Sequence, residues 1–348
     1  MNSIPAANKP ASEKVSWRQT VAKYEHPDLY RSVWQVVSTL IPYFILWYLM
    51  YRSLEVSYWI TLALSALTAG FLVRIFIIFH DCGHASFFKS RKANDIWGFI
   101  AGVLTLTPYF GWRREHAMHH ATAGDLDRRG VGDIWTLTVK EYLELSPRKR
   151  FEYRLYRNPL VMFVIGPLFT FLIRHRFAGP IASKRERYSV YWTNLAIVGI
   201  VALMKATIGL KALVLVQLPI VMIASAAGVW LFYVQHQYEG VYWEHHENWD
   251  YVSVALQGSS FYKLPKILQW FTGNIGFHHI HHLSPRIPNY YLERCHEENS
   301  MFREVRAITL LDSLKSLAFR LWDEERHKLV GFGYIKDLQD KQAMASQQ

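Results

Sequence analysis

Cysteine is nearly absent from this 348-residue chain, which carries only Cys82 and Cys295. Neither belongs to a C-x-x-C pair, so a thiolate metal site, a dithiol redox motif and a disulfide-stapled fold are excluded. Cys82 reads as a buried small residue, and so few thiols agree with a reducing compartment. No cleavable leader is expected either. The first ~30 residues are polar, contain Lys9, Lys14, Arg18 and Lys23, and hold no short apolar core before a small-residue cleavage site. No internal repeat is visible, and low complexity is confined to the polar tail after Asp337.

What is abundant is apolar and aromatic. Phe, Trp and Tyr make up 15% of the chain, and the formal charge is +11. Nucleic-acid binding would cluster that charge on a soluble module. Here the basic residues gather between apolar runs, as the positive-inside pattern requires, so no nucleic-acid partner is expected. Runs at 33–50, 57–79, 191–204 and 212–234 are long enough, with their flanks, to cross a bilayer as helices. They pair as two hairpins across the short links 51–56 and 205–211. Two shorter runs, 96–110 and 160–173, suit re-entrant or buried helices.

Three histidine clusters stand out: His80 and His84; His116, His119 and His120; His278, His281 and His282. Positions three and four apart share one helix face, so each cluster aims two or three imidazoles at one point. Eight imidazoles without thiolate suit iron, zinc, copper or nickel, and they are enough for two ions. Only if both shorter runs stay on one side do all three clusters meet on one face of the membrane. The arginine- and lysine-rich stretch 113–157 makes that face cytoplasmic. His236 ends the fourth run at the depth of His80, and an ionisable residue there is a functional candidate. Metal-bound histidine usually gives its second N–H to a carboxylate or carbonyl. Asp81, Glu115, Asp125, Asp127 and Asp133 are candidates for that role, and Asn274, four residues before His278, is a candidate for bonding a metal-bound water. His245 and His246 read as solvated, and His26, His175, His296 and His327 as background. Leu310, Leu314, Leu317 and Leu321 have helical spacing and predict an amphipathic helix on the cytosolic cap.

The expected fold is an all-α integral membrane protein, two transmembrane hairpins with a cytosolic helical cap. It divides into an N-terminal segment 1–32, a membrane domain 33–298, and a C-terminal helix and tail 299–348.

These motifs resemble the membrane fatty acid desaturases, in the stretches His80-Asp-Cys-Gly-His-Ala-Ser-Phe87, Glu115-His-Ala-Met-His-His-Ala-Thr122, Gly132-Asp-Ile-Trp135 and His278-His-Ile-His-His-Leu-Ser-Pro-Arg-Ile-Pro-Asn289. The surroundings are similar to the bacterial acyl-lipid branch, related to enzymes acting at mid-chain. The resemblance implies a diiron centre held by His80, His84, His116, His119, His120, His236, His278, His281 and His282. It also implies a membrane-lipid acyl chain as substrate, electrons from ferredoxin or a similar separate carrier, and a bacterial inner-membrane location. The acyl-coenzyme-A branch has one more residue inside the first box and an Asn where this chain has Phe232, so its metal shell does not transfer whole. No His-Pro-Gly-Gly haem motif occurs. The rivals are a related diiron hydroxylase acting on alkanes, sterols or carotenoids and, more remotely, a metal transporter, which would line its spans with ionisable residues. Arg74 is the main such residue here.

Overall fold

The structure is a computed structural model and describes residues 12–345; the first eleven residues, including Lys9, and the last three lie outside them. Among the described residues, four helices are long and apolar enough to cross a membrane. They are α2 (Leu29–Ser53), α3 (Tyr58–Gly83), α9 (Lys184–Thr207) and α10 (Leu210–His236). α2, α9 and α10 contain their expected runs and overshoot them at both ends, while α3 starts one residue inside its run, with Ser57 as the cap, and extends past its end. Asp28 and Ser57 accept from backbone amides in the first turns of α2 and α3, and a Ser183–Glu186 capping box starts α9. Gly209 opens α10 at φ +83°, a left-handed turn that lets α9 and α10 reverse without Cβ strain.

Inside the hairpins, small polar side chains join helices whose apolar surfaces gain little by leaving lipid. Ser53 Oγ lies 2.7 Å from Thr61 Oγ1, and Thr68 Oγ1 donates to Met50 Sδ at 3.3 Å. Helix α3 is the centre: 61% of its most apolar stretch is buried, against 11% in α9. Arg74 on α3 lies 4.0 Å from the Trp270 ring centroid, bonds the Trp270 carbonyl, and donates to Thr39 Oγ1 at 3.2 Å.

The cap is built from α1 (Ser12–Ala22), α4 (Arg91–Leu104), α5 (Tyr109–Thr122), α6 (Val139–Glu144) and α7 (Pro147–Tyr156) before the second hairpin. After it come α11 (Tyr251–Gln257), α12 (Lys266–Phe271), α13 (His278–Leu283), α14 (Asn289–Glu298), α15 (Leu310–Lys315) and α16 (Gly333–Ala345). Between α7 and α9 a π-helical turn, Val161–Ile165, leads into α8 (Gly166–Leu172), and the 161–176 segment bends 61° from α7. His119 and His236 lie 3.1 Å apart, so the chain returns to the side it left, and this bent segment is re-entrant. The 96–110 run likewise breaks into α4 and α5 at Thr105–Pro108 rather than crossing.

Short strands supplement the helices. β1 (Leu137–Thr138) pairs parallel with β4 (Leu321–Asp323), which pairs antiparallel with β5 (Lys328–Val330); β2 (Phe261–Tyr262) pairs parallel with β3 (Ala307–Ile308). The C-terminal helix expected from Leu310 to Leu321 is therefore broken. Leu310 and Leu314 lie exposed on or beside α15, Ser316–Ala318 is a 3-10 turn, and Leu321 is buried in β4.

Candidate metal centre

Each histidine box is presented by a different local device. α3 runs past the membrane zone and delivers His80 and His84 from its last turn and cap. α5 carries His116, His119 and His120 on a helix whose Trp112 stacks on His116 at 4.4 Å. α13 is a six-residue helix, entirely buried, with His278, His281 and His282. His236 closes α10.

The nine side chains converge as two groups. One holds His80, His84, His116, His120 and His281; the other holds His119, His236, His278 and His282. Within each group one ring nitrogen per residue lies within 4.8 Å of all the others. His120 and His116 Nε2 are 3.2 Å apart, and His281 and His120 Nε2 are 3.0 Å apart. In the second group His278 and His236 Nε2 are 3.0 Å apart, and His282 and His278 Nε2 are 3.1 Å apart. With metal–nitrogen bonds of about 2.0–2.1 Å, neighbouring ligands at right angles around one ion lie about 3 Å apart, so these spacings fit one ion per group. His84 Nε2 is buried without a partner, a polar atom that an ion would satisfy.

Electrostatics favours the neutral imidazole that a metal binds. Burial first, then neighbouring rings, hold His84, His116, His120, His278, His281 and His282 well below the ordinary histidine range.

Three of the rings are oriented from Nδ1, leaving Nε2 for the centre. His80 Nδ1 meets Asp81 Oδ1 at 3.0 Å, His119 Nδ1 meets Asp133 Oδ1 at 2.5 Å, and His236 Nδ1 meets the Gly258 carbonyl at 3.2 Å. Asp81 is itself fixed by Asn289, whose backbone and side-chain N–H groups donate to Oδ2 at 2.7 and 2.8 Å. The Asp133 loop reaches α5 because Gly132 has φ +75°; a Cβ there would lie 2.8 Å from the Glu115 carbonyl oxygen.

The remaining candidates do not touch the rings. Glu115 pairs with Arg174 at 3.3 Å. Asp125 accepts from Arg128 and meets His246 Nδ1, while Asp127 meets His245. Asn274, at φ +58°, spends its side chain on Gln269 and Asn289. Among residues the sequence reading passed over, Asn289 and Gly258 anchor ligand-oriented contacts, and His175 lines a cavity.

That cavity has a volume of about 460 Å³ and runs between α3, α10 and the re-entrant segment. His80, His116 and His278 form part of its wall, with Phe76, Trp112 and Phe232. Its lining on α10 extends from Gln235 to Val221, about 21 Å of helix axis at 1.5 Å per residue. Glu115, Arg174 and His175 also line it. A second cavity of about 380 Å³, lined by His119, His236, Asp133, Glu141 and Arg129, meets the centre from the cap side.

Comparison with known proteins gives this geometry a context. Residues 57–307 match the family profile described as "Fatty acid desaturase". The chain is 55% identical over 318 residues to a fatty acid desaturase of Bacillus subtilis, covering 91% of this chain and 90% of that protein. Two proteins of Synechocystis sp. match more distantly. The sn-1 oleoyl-lipid 12-desaturase is 28% identical, covering 66% of this chain and 65% of that protein. The sn-1 acyl-lipid omega-3 desaturase (ferredoxin) is 27% identical, covering 64% and 62%.

Proposed function

The chain belongs to the fatty acid desaturase family of membrane oxidoreductases, and from that premise we propose that it inserts a cis double bond into the acyl chain of a membrane glycerolipid. The observation that carries this reading is the convergence of nine imidazoles, in two ion-sized groups, on the wall of an apolar cavity sunk between membrane helices. We assign His80, His84, His116, His120 and His281 to one iron, and His119, His236, His278 and His282 to the other. When bound, the two irons would supply the oxidising power that removal of hydrogen from an unactivated methylene requires and that side chains alone lack.

The protein's own part is binding and orientation. An acyl chain entering from the bilayer gains little hydrophobic free energy, since lipid is as apolar as the cavity, so selection rests on how closely the walls pack against it. Phe76, Trp112 and Phe232 beside His80, His116 and His278 fix which carbons face the centre. Asp81, Asp133 and the Gly258 carbonyl hold three rings in the Nδ1–H tautomer. The overall change is R–CH2–CH2–R′ + O2 + 2 electrons + 2 H+ → R–CH=CH–R′ + 2 H2O, with the electrons brought by a separate carrier such as ferredoxin. We assign the centre to the cytoplasmic side of a bacterial inner membrane, a reading supported by the excess of arginine and lysine in 113–157. We place the new bond at carbon twelve of an oleoyl chain, supported by the distant likeness to the 12-desaturase.

Expression in a host lacking polyunsaturated lipids, with isotopically labelled oleoyl lipid under oxygen and then under nitrogen, tests the reading. Loss of two hydrogens in oxygen alone is expected. A hydroxylated main product would make the protein a hydroxylase, and equal conversion under nitrogen would remove the oxidative reading altogether.

A further inference from the structure

The ligand rings are buried or half-buried, so an ion reaches them only through the protein, and the two cavities that meet the centre differ in what they can pass. The smaller, of about 380 Å³, joins the surface to the ligands. Asp127, Gly130 and Trp135 on its wall are exposed, whereas His119 and His236 on the same wall are 1% and 7% exposed. An ion carrying six waters needs roughly 180 Å³ at 30 Å³ per water, which this space provides. The larger cavity is walled by Leu72, Val73, Phe76, Ile77, Val221 and Leu231. A divalent cation stripped of water there finds no donors to replace it. Glu115 and Arg174 also line that cavity, but they pair with each other at 3.3 Å.

Net charge does not single out the smaller cavity. Of its carboxylates, Asp125 accepts from Arg128, Asp127 meets His245, Asp133 meets His119, and Glu141 pairs with Arg129. What sets it apart is polar wall from the exposed loop to two ligands. Arg129 ties that wall together. Its Nε donates to the Thr136 carbonyl at 3.1 Å, and its other nitrogens donate to the Leu126 carbonyl and the Glu141 carboxylate. All four residues line the cavity. None of the five-histidine group does, yet that group adjoins the four-histidine one, with the His120 ring stacked on His282 at 4.2 Å.

We propose that the polar cavity is the port through which both ferrous ions enter and leave the centre, passing His119 and His236 first, and that Arg129 is the staple that keeps the port narrow. This rests on the assignment of one iron to each histidine group above.

The test reads metal movement and not turnover. Metal-free full chain in lipid nanodiscs is mixed anaerobically with ferrous ion, and uptake is counted by metal analysis of timed samples. Release from the loaded protein is followed by the absorbance of the ferrozine complex. In Asp127→Cys a bulky maleimide is attached at the exposed part of the wall, while Cys82 and Cys295, both buried, stay unlabelled. The label should slow uptake and release at least tenfold and by the same factor, for both ions, with two ions per chain still bound at equilibrium. A blocked route changes both rates alike, whereas damaged ligand geometry changes the affinity. Arg129→Gln should raise both rates together at least threefold. The same label on Glu115→Cys, at the apolar cavity, should leave both rates unchanged. Wild-type rates in labelled Asp127→Cys and in Arg129→Gln overturn the proposal, as does slowing by labelled Glu115→Cys instead. One of the two ions still entering labelled Asp127→Cys at wild-type speed also overturns it, because the groups then fill by separate routes. Wild-type chain that holds no ferrous ion at equilibrium refutes the metal assignment itself, whereas normal binding at unaltered rates in the variants refutes the port alone.

Discussion

If the two histidine groups each hold one iron, as proposed, Asp133→Asn isolates one of them without touching a ligand. Asp133 Oδ1 lies 2.5 Å from His119 Nδ1, Oδ2 accepts from the Gly130 amide at 3.2 Å, and the two side chains are 17% and 2% exposed. Asparagine keeps the shape and an acceptor but removes the charge that makes the imidazole a stronger donor to metal. Losing such a carboxylate costs roughly 10- to 100-fold in metal affinity or activity, which is ~1.4–2.8 kcal/mol at 1.4 kcal/mol per decade. The near-complete burial of His119 limits solvent screening and puts the expectation in the upper half of that range. Because His119 belongs to the four-histidine group, iron should fall from two toward one per chain, counted by metal analysis after challenge with a graded chelator. Asp81→Asn should deplete the other group through His80, while Asp127→Asn, whose carboxylate meets exposed His245, should keep both irons. If Asp133→Asn and Asp81→Asn both retain two irons at wild-type chelator resistance, the orienting role of the carboxylates is wrong.

Gly132→Ala forces an alanine to φ +75° with its Cβ 2.8 Å from a backbone carbonyl; strain of about 1–3 kcal/mol should lower the thermal midpoint and loosen the same iron, and unchanged chelator resistance would argue against it. Epitope tags inserted near Lys140 and near Ile208 should report opposite sides of the membrane, and a shared side would contradict the re-entrant assignment of the 161–176 segment. The metal-free protein should lose stability as pH falls. Its buried imidazoles are held well below 6.5 by burial and by one another, the unfolded chain therefore binds more protons, and stability rises with pH. Its midpoint should drop steadily from pH 7.5 to pH 5 in a thermal scan, and a flat profile would count against the neutral cluster.

The parts of this site that were legible in the sequence are those set by local periodicity. The i, i+3, i+4 spacing within each box gave ligand faces because a helix turn is a fixed length, and the depth of His236 relative to His80 gave the ninth ring because both close apolar helices. Parity correctly kept 96–110 and 160–173 from crossing, since convergence of the boxes allows nothing else. What failed depends on partners far away in the chain. Leu321 continues the period of Leu310 and Leu314, yet it lies in β4, paired with β1 from 184 positions earlier, and no local window contains that strand. Glu115, Asp125 and Asn274 sit as close in sequence to the boxes as Asp133 does. The structure turns them instead to Arg174, to Arg128 and His246, and to Gln269 and Asn289. His175 has no motif around it and reaches the cavity only because the chain bends at 157–161 and folds back against α3 and α10.

This division follows from how the centre is assembled. Helices supply the ligands, and a helix writes its geometry into sequence spacing. Loops supply the groups that hold the ligands still: Gly132–Asp133, Gly258 and Asn289 all lie at or beyond helix ends, where one positive φ or one long-range contact decides the outcome. The same asymmetry runs through the two cavities. The apolar one is walled largely by helices, and its character is visible as membrane-length runs. The polar one is walled largely by the 123–137 loop, α10's last turns and Trp243, and it exists only once the cap has closed. A chain of this kind therefore announces its ligand set in its periodicity and conceals in its loops what orients that set, which is where substitutions such as Asp133→Asn separate holding a metal from merely surrounding it.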